Sequence, residues 1–470
     1  MMATIAHYNK IINGFVWGTP MLCFLVGTGV YLTFLLGLPQ LRYLALTFKE
    51  VFSKKKDVQQ EAGDKSISSF AALATAMAAT VGTGNIAGVA TALHLGGPGA
   101  AVWMLVSAIF GMCTKFAEVS LAVHFRQKDE HGDWRGGTMY ILEHGAGQKW
   151  LAFLFALFAF LASFGIGAAV QANSTAEGLK MGFGLDELHC GIGLVILTAL
   201  VIIGGLKSLS TVTTLLVPTM AVFYVIGSLI ILFKNAAVLP DVIATAFHYA
   251  FNDPAETVKG ALAGWCVKEA IRKGIARGVF SNEAGLGSAP MVHATANTNH
   301  PVRQGLYGIF EVFMDTLIIC SMTALVVLST GALTGNPELT GAQLSLKAFE
   351  MGLGEVAGKF VLSIGLALFA FTTILGWYWY GETAAVYIFG VGFKPIMKVL
   401  WLVLILLGAA GSRFLGAGSK EFLTVLWDMA DTLNGLMAIP NLLGLLLLSG
   451  VMRKLVKDFD AKRRSGELKL

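Results

Sequence analysis

Thr80-Val81-Gly82-Thr83-Gly84-Asn85 interrupts a long apolar run that extends from about residue 67 to residue 95. The flanks favour a helix, because residues 71–79 are rich in alanine and residues 86–95 are apolar again. Two glycines separated by one residue weaken that helix, since each costs about 1 kcal/mol relative to alanine. In a bilayer the freed N–H and C=O groups have no lipid partner. A break here therefore either does not form or exposes these groups to a ligand. The stretch predicts a broken helix whose free N–H groups bind an anion and whose carbonyls bind a cation.

The composition indicates a polytopic membrane protein. Of the 470 residues, 55% are hydrophobic and 13% are charged, whereas soluble domains carry about 25% charged residues. The apolar run from Ile11 to Leu38 is too long for a cleaved signal and predicts a retained helix. The net charge of +5 does not indicate a nucleic-acid partner, because Lys and Arg cluster in a few loops. The five cysteines show neither metal-type spacing nor a disulfide framework, and we predict no cofactor.

Eleven apolar runs are long enough to span a bilayer, which takes about 20 helical residues. They predict an all-α fold of about 11 transmembrane helices in a single domain that covers residues 1–470. The second and the seventh runs differ from the others because glycine clusters interrupt them. The predicted spans are residues 12–37, 67–95, 98–125, 149–174, 188–206, 211–233, 265–297, 303–331, 357–390, 396–415 and 424–450.

The two interrupted spans each begin a set of five helices. Residues 12–37 are set aside as an extra N-terminal helix. Residues 67–235 then form the first five-helix repeat and residues 257–452 form the second, followed by a basic tail at 453–470. Since five is odd, the second set enters the membrane from the opposite side, and the two sets are inverted repeats. A matched pair of glycine-interrupted spans is the best sequence pointer to a transporter binding site.

The second interruption, Ser281–Gly287, is followed by Pro290 and contains an acidic residue. Glycine at positions 285 and 287 and the proline weaken the helix. Glu283 lies at apparent membrane depth, where a charge in lipid costs several kcal/mol, so it must face the protein interior or water. Residues 268–277 carry four positive charges and predict the outer end of this helix in a vestibule.

The loops alternate in charge. Lys and Arg cluster in residues 38–66, 126–149 and 453–469, whereas few occur in the loops at 175–187, 234–256 and 332–343. With eleven spans the basic segments share one side, which the positive-inside bias makes cytoplasmic. We expect a multi-pass protein of the plasma membrane, the cytoplasmic or inner membrane in a bacterium, with its N-terminus outside and its C-terminus in the cytoplasm.

Other interpretations of the first break explain less. The pattern Gly82-x-Gly84-x-x-x-Gly88 resembles a dinucleotide fingerprint, but it follows a helical run and lacks the downstream acid. Gly84 and Gly88 could instead serve plain helix packing, which explains Gly88 but neither Thr83 nor Asn85.

Polar side chains in the fourth and ninth spans are further candidates. Gln171 follows a glycine pair, and its amide either lines a pocket or bonds across helices. Thr372 and Thr373 either bond back to their own helix or bind a hard cation through oxygen. Trp377 lies too deep for an interfacial belt and forms either a pocket wall or core packing.

Three acids in the apolar spans are candidates for proton relays or structural pairs: Glu118, Asp315 and Glu382. Lys115 could pair with Glu118, three residues further along the same helix face. The histidines form no ligand cluster, and no Walker lysine motif occurs, so ATP is not the predicted energy source.

Three motifs resemble those of the alanine or glycine:cation symporter family. They are Thr83–Ala92 (TGNIAGVATA) with Gly96–Gly99 (GGPG), Gly278–Pro290 (GVFSNEAGLGSAP), and Phe371–Trp377 (FTTILGW) with Glu382. The resemblance covers essentially the whole chain. It implies sodium-driven symport of small neutral amino acids on a leucine-transporter-type fold of two inverted five-helix repeats, each with one broken helix.

The same resemblance implies roles for individual residues. The substrate carboxylate would meet the backbone N–H groups of the first break, and the ammonium would meet carbonyls near Thr80 and in the Phe280–Asn282 break. Gln171 would close the pocket, and Trp377 would limit side-chain size. The implied substrate-binding residues are Thr80, Gly82, Thr83, Gly84, Asn85, Gln171, Phe280, Ser281, Asn282 and Trp377. The implied sodium ligands are the carbonyls of Ala78 and Val81 and the hydroxyls of Thr372 and Thr373.

The residues alone leave alternatives open. They do not choose between alanine, glycine and a D-isomer, nor between sodium and a proton as the coupling ion. A channel is the second class of function, because broken helices also occur in pores. A membrane-embedded enzyme would need a convergent nucleophile, acid and metal, and the spacing offers none. The predicted partners are a small neutral amino acid, sodium and the lipid bilayer.

Overall fold

The chain folds almost entirely into helices. The structure is a computed structural model that describes residues 2–53, 66–253, 265–415 and 419–468. Within these ranges the strands are β1 (Ile67–Ser68), β2 (Gln127–Lys128), β3 (Trp134–Arg135) and β4 (Ala296–Asn297). β1 pairs in parallel with β4, and β2 pairs antiparallel with β3.

The helices before residue 254 are α1 (Met2–Val16), α2 (Thr19–Leu35), α3 (Pro39–Arg42), α4 (Leu44–Phe52), α5 (Ser69–Thr80), α6 (Val89–Gly96), α7 (Gly99–His124), α8 (Thr138–Tyr140), α9 (Lys149–Ala162), α10 (Val170–Phe183), α11 (Glu187–Ile203), α12 (Gly205–Lys234) and α13 (Leu239–Phe251). Wider π turns at Gly84–Gly88, Ile141–Gly145 and Ser163–Ala169 join some of them, and a 3-10 turn occupies Ala236–Val238.

The helices after residue 264 are α14 (Val267–Asn282), α15 (Pro290–His293), α16 (Pro301–Val312), α17 (Ser321–Ser329), α18 (Ala332–Gly335), α19 (Gly341–Leu353), α20 (Glu355–Phe389), α21 (Lys394–Leu415), α22 (Ser419–Leu447) and α23 (Ser449–Arg464). A π turn at Phe313–Cys320 joins α16 to α17, and a 3-10 turn occupies Val391–Phe393.

Eight helical segments of the described chain are long and apolar enough to cross a membrane, which makes this a multi-pass membrane protein. α5 and Gly84–Gly96, which are bent by 53° at the first break, are together long and apolar enough to form a ninth. The other two predicted spans correspond to α11, which has 17 residues, and to α14 with its non-helical continuation. The count of eleven and the inverted repeats stay predictions. The eight segments are Ala6–Leu35, Gly99–His124, Lys149–Phe183, Gly205–Lys234, Pro301–Ser329, Glu355–Phe389, Val391–Gly411 and Val425–Leu447.

The two interrupted spans run in opposite directions. At one end Ile67, just before α5, pairs with Ala296, which follows the second break. At the other end the indole N–H of Trp265, just before α14, donates to the carbonyl of His94 in α6 at 2.9 Å. The start of each span therefore lies beside the end of the other, which brings the two breaks side by side.

Helices occupy parts of the segments where the sequence suggested loops. α13 lies within residues 234–256, and α19 begins inside residues 332–343. The indole of Trp103 in α7 donates to the carbonyl of Ala250 at 2.9 Å and holds α13 against the membrane-spanning helices. The hydroxyl of Ser345 in α19 donates to the carbonyl of Ile86 at 3.0 Å, so α19 packs on the first broken span.

The basic C-terminal segment contains a docked helix rather than an extended tail. Met452, Val456 and Phe459 recur at helical spacing and are buried, which is the pattern of an amphipathic helix. Asp460 on the same helix accepts a hydrogen bond from Arg42 at 2.9 Å. α23 is thereby fastened to the segment that follows the N-terminal helices.

Candidate functional site

The first break leaves a free helix N-terminus in the protein interior. α5 ends at Thr80, and Val81 is extended with φ −81° and ψ 90°. The helix resumes at Gly84, and Thr83 caps it without a side-chain hydrogen bond. The first N–H groups of a helix have no partner within it, so they are free to bind an anion.

Asn85 stabilises this turn through its side chain. Its Oδ1 accepts the backbone N–H of Gly82 at 2.8 Å. Its carbonyl accepts the hydroxyl of Thr323 at 2.7 Å, which ties the break to α17. Asn85 therefore shapes the break, and it does not line the cavity described below.

The second break depends on residues in the left-handed backbone region. α14 ends at Asn282, and Glu283 has φ 55°, which is strained for a residue with a side chain. Gly285 with φ 93° and Gly287 with φ 81° follow, in conformations that favour glycine. The N–H of Gly285 donates to Oε1 of Glu118 at 3.0 Å, so a buried acid of α7 holds the break in place.

A cavity of about 20 Å³ lies between the two breaks. This volume holds roughly one water molecule, so an amino acid requires the walls to move apart. Seven of the ten predicted substrate-binding residues line the cavity, whereas Thr83, Asn85 and Asn282 do not. The predicted sodium ligand Thr373 also lines it. The lining residues are Ala79, Thr80, Gly82, Gly84, Ile166, Gln171, Phe280, Ser281, Glu283, Thr373, Trp377 and Asn434.

The polar side chains of this cavity mostly present acceptor oxygens. Nε2 of Gln171 donates to the carbonyl of Ile166 at 3.1 Å, while its buried Oε1 has no partner among the described residues. Oδ1 of Asn434 is also buried and without a partner in the described chain. Glu283 adds a carboxylate. Unpaired buried acceptors cost about 1–3 kcal/mol each, so a ligand rich in N–H donors fits this cavity.

Trp377 forms one wall of the cavity and orients Glu283. Its indole N–H donates to Oε1 of Glu283 at 3.0 Å, and the hydroxyl of Ser288 donates to Oε2. The Trp377 ring packs edge-on against Tyr380, with 5.6 Å between ring centroids. A Cβ on Gly167 would overlap the Trp377 side chain, so a glycine of the fourth span makes room for the indole.

The two threonines of α20 point in different directions. A Cβ on Gly82 would overlap Oγ1 of Thr373, so Thr373 lies directly against the first break. Oγ1 of Thr372 instead lies 3.3 Å from the sulfur of Met220. Both threonine hydroxyls also donate to carbonyls of their own helix. The structure brings Thr373 to the first break, whereas the Thr372 hydroxyl faces α12.

α20 packs closely on α5 beside these threonines. A Cβ on Gly376 would lie 2.6 Å from the backbone nitrogen of Ala79, so only glycine permits this approach. Ala78 and Val81, the predicted carbonyl ligands of sodium, are fully buried in the same segment. The contact between the two helices therefore excludes water around these carbonyls.

Gly88 makes room for an arginine of α14. A Cβ on Gly88 would overlap the guanidinium of Arg277, and one on Gly84 would lie 3.3 Å from its Nη1. The guanidinium also lies over the ring of Phe280, 4.8 Å from the centroid. Arg277 further lines a recess of about 210 Å³ together with Arg272, Lys273 and Asp431. The outer vestibule predicted from the positive charges of residues 268–277 stays a prediction.

The buried acid Glu118 does not pair with the lysine expected for it. Nζ of Lys115 pairs with Oε1 of Glu311 at 3.2 Å and not with Glu118, so the expected pair within α7 is wrong. α16 packs against α7 and supplies the closer carboxylate. Glu382 lies 3.8 Å from Nη2 of Arg135. Within the described residues, no group of three His, Cys, Asp or Glu side chains converges as metal ligands.

Comparisons with known proteins agree with the motif resemblance. Residues 2–470 match the model of the sodium:alanine symporter family. The chain is 46% identical over 461 residues to the sodium/alanine symporter AgcS of Methanococcus maripaludis, covering 97% of each protein. It is 45% identical over 457 residues to an uncharacterized transporter of Haemophilus influenzae, covering 97% of this chain and 96% of the relative.

The fold has solved counterparts. The structure of MhsT in complex with L-phenylalanine matches 86% of this chain and 99% of its own with a TM-score of 0.56 and 16% sequence identity. At that identity the likeness concerns the fold alone, which is that of leucine-transporter-type carriers. The family predicted from the motifs is confirmed by the match over the whole chain. The chain belongs to the sodium:alanine symporter family and is a membrane transporter, not an enzyme.

Proposed function

We propose that this chain carries small neutral amino acids into the cell by symport with sodium, with alanine, glycine and D-alanine as the candidate substrates. Its relative AgcS is named a sodium/alanine symporter, which supports both sodium and alanine. The observation that carries the proposal is the cavity between the breaks, which is lined by the start of a half-helix, by an acidic residue and by two residues with unpaired amide oxygens.

The lining of the cavity suits the two charges of an amino acid. The N–H groups of Thr83 and Gly84 begin the half-helix and would bind the substrate carboxylate. The ammonium would lie against Glu283, Gln171 and Asn434, with carbonyls near Thr80 and in Phe280–Asn282 as further acceptors. A zwitterion satisfies both sets at once, whereas an organic acid or an amine leaves one set unpaired.

The Trp377 wall of the cavity supports a small substrate side chain. Trp377 fills the space beside Glu283, so a branched or aromatic substrate would have to displace the indole. The tight contact of α20 with α5 supports sodium between these helices. The carbonyls of Ala78 and Val81 and the hydroxyl of Thr373 would bind it, and the Thr372 hydroxyl would join after turning away from Met220.

Uptake into proteoliposomes tests the proposal. Radiolabelled alanine and glycine are offered with a sodium, a lithium or a proton gradient imposed in turn. We expect saturable accumulation against the amino-acid gradient only with sodium outside. Accumulation with a proton gradient and no sodium would identify a proton-coupled carrier, for which the carboxylate of Glu283 in the cavity is the motivating observation. Flux that never exceeds equilibrium would identify a channel.

We also propose that the N-terminus lies outside and the C-terminus in the cytoplasm. The basic segments 38–66, 126–149 and 453–469 support this orientation through the positive-inside bias. A reporter that is active only in the cytoplasm, fused after Leu470, should be active in cells. An inactive fusion in a well-expressed protein would contradict the orientation.

A further inference from the structure

α23 carries a cluster of bases that form no ion pair within the described chain. The helix contains six bases and two acids. Asp460 accepts a hydrogen bond from Arg42 at 2.9 Å. Asp458 pairs with Lys462 of the same helix at 3.1 Å. Both acids are thus paired, whereas the remaining bases are exposed and keep their full charge: Arg453, Lys454, Lys457, Arg463 and Arg464.

Three of these bases share one side of the helix, which we call the basic flank: Arg453, Lys457 and Arg464. Their spacing along the chain places them on one side of an α-helix, next to its buried apolar face. Asp460 borders this flank, but its carboxylate already accepts the bond from Arg42 and another from the hydroxyl of Tyr43 at 2.7 Å. Asp458 lies on the opposite flank. The basic flank therefore stays positively charged while the helix is docked.

The start of α23 lies at the level where a bilayer meets water. The helix begins directly after an apolar span ends at residue 447. The hydroxyl of Ser449 lies 3.4 Å from that of Tyr31, which is exposed on α2. A Cβ on Gly145 would lie 2.8 Å from Leu448, so the nearby start of α9, where Trp150 is exposed, lies close to the same junction. Exposed tyrosine and tryptophan are typical of the membrane–water interface.

The basic flank lies beside exposed leucines. Because Asp460 is bonded to Arg42 and Tyr43, the segment at residues 38–43 runs alongside the flank. In that segment Leu38 is 40% exposed and Leu41 is 61% exposed. Exposed apolar side chains next to bases suit the surface of a bilayer, where acyl chains and charged headgroups occur together. A soluble acidic protein or a nucleic acid would leave these leucines in water.

We propose that the basic flank binds the phosphate groups of anionic phospholipids and that this binding holds α23 in its docked position. Arg453 and Arg464 offer paired N–H donors that match phosphate oxygens, and Lys457 adds a positive charge between them. The docked helix also bonds to the start of α16, through Asp458 and His300 at 3.1 Å. α16 begins shortly after β4, at the end of the second interrupted span. Anionic lipid therefore stabilises this end of the transporter, away from the substrate cavity.

Hydrogen exchange of residues 449–464 tests the proposal in the purified full-length protein in a neutral detergent. The protein is titrated with short-chain phosphatidylglycerol, with short-chain phosphatidylcholine or with inorganic phosphate. We expect phosphatidylglycerol to slow the exchange, and the other two compounds to leave it unchanged at the same concentration. The triple variant Arg453→Gln, Lys457→Gln and Arg464→Gln should need roughly 100-fold more phosphatidylglycerol for half of the effect, because each base near an anionic surface contributes about a fivefold factor.

The matched control removes three bases that lie away from α23, and it should respond to phosphatidylglycerol as the wild type does: Lys234→Gln, Lys268→Gln and Lys359→Gln. Equal protection by phosphatidylglycerol and phosphatidylcholine would overturn the proposal, as would a wild-type response of the triple variant. Protection by inorganic phosphate at the same concentration would indicate a site for soluble anions and would also overturn it.

The wild-type protein provides a second measurement, which decides if the triple variant does not fold. Added choline chloride screens exposed charges while sodium is held constant. The phosphatidylglycerol concentration for half of the effect should then rise several-fold. A concentration that does not change with choline chloride would show that the basic flank does not bind the headgroup through its charge, and would overturn the proposal.

Discussion

Trp377 and Glu283 are joined across the cavity wall by a hydrogen bond of 3.0 Å from the indole N–H to Oε1. Trp377 lies in the middle of α20, whereas Glu283 lies in the strained turn after α14. The Ser288 hydroxyl donates to the other carboxylate oxygen. Glu283 is therefore held in one orientation, and it belongs to the lining of the cavity proposed for the substrate.

Glu283→Gln should weaken amino-acid binding strongly. Glutamine keeps the size and can still accept the indole N–H, but it removes the charge that would face the ammonium. A hydrogen bond to a charged group contributes about 1.5–3 kcal/mol, so we expect alanine affinity to fall about 10- to 100-fold. Titration calorimetry at saturating sodium measures it. The control is Glu350→Gln, which alters a carboxylate near Lys347 and Lys359 at the periphery. Equal alanine affinity in both variants would place the ammonium elsewhere.

Two substitutions of Trp377 should separate its effect on pocket size from its effect on alanine affinity. Trp377→Ala removes the wall, so leucine and methionine should begin to compete with alanine for uptake. Trp377→Phe keeps most of the wall but removes the bond to Glu283, so it should lower alanine affinity and leave selectivity nearly unchanged. Competition assays with both variants measure the two effects. Leucine and methionine competition that is unchanged in Trp377→Ala would make this residue core packing only.

Gly84→Val should abolish amino-acid binding without unfolding the protein. A Cβ at position 84 would lie 3.3 Å from Arg277 and 3.8 Å from Phe280, and the two further methyl groups of valine extend over the half-helix N-terminus. Thr83→Ser should retain binding, because the main chain of the break is proposed to bind the carboxylate. Calorimetry with alanine, together with a melting temperature, checks both variants. Normal alanine binding by Gly84→Val would move the site away from this break.

α23 is held to the start of α16 by a hydrogen bond that protonation disrupts. Nδ1 of His300 accepts the N–H of Val302 at 3.1 Å, so the ring proton is on Nε2, which donates to Asp458 at 3.1 Å. Burial lowers the pKa of His300, even though Asp458 acts in the opposite direction. Hydrogen bonds from His300 and Lys462 lower the pKa of Asp458. Both groups therefore resist protonation while the helix is docked.

Docking of α23 should weaken in acid. Because both pKa values are lower in the docked form, the undocked form binds protons first as the pH falls. Docking is complete above about pH 6.5, the usual pKa of histidine, and is lost as the pH falls through the lowered pKa of His300. Hydrogen exchange of residues 449–464, corrected for its intrinsic pH dependence, should be faster at acidic pH. His300→Asn still caps α16 but does not titrate, so the pH effect should shrink. An equal effect in both proteins would contradict this explanation.

The sequence reveals the local features of this site, but it does not reveal contacts between segments that are distant along the chain. Both breaks are predictable, because closely spaced glycines and Pro290 weaken a helix wherever it packs. Asn434 carries no such signal, since a single amide in an apolar span does not show which face meets the cavity. The partner of Lys115 is unpredictable for a related reason. Helical spacing tells which residues share a face of α7, but Glu311 comes from a neighbouring helix whose position only the fold determines.

The Thr372 and Thr373 pair gives the sharpest test of the proposed sodium site. Thr373 touches Gly82 at the first break, whereas the Thr372 hydroxyl faces Met220. Loss of one neutral ligand removes roughly 1 kcal/mol, so Thr373→Val should raise the sodium half-saturation of uptake about fivefold. Thr372→Val should raise it less, because its hydroxyl must first leave Met220. Alanine affinity at saturating sodium should change little in either variant.

Thr383→Val is the matched control on the same helix, since the Thr383 hydroxyl is buried and makes no hydrogen bond within the described chain. Its sodium dependence should equal that of the wild type. Sodium and substrate must also raise each other's affinity by the same factor, because coupling between two binding sites is reciprocal. Sodium titrations with and without alanine check that factor, which should persist in Thr383→Val and shrink in Thr373→Val. If Thr373→Val keeps the wild-type half-saturation and the wild-type coupling factor, sodium does not bind between α5 and α20.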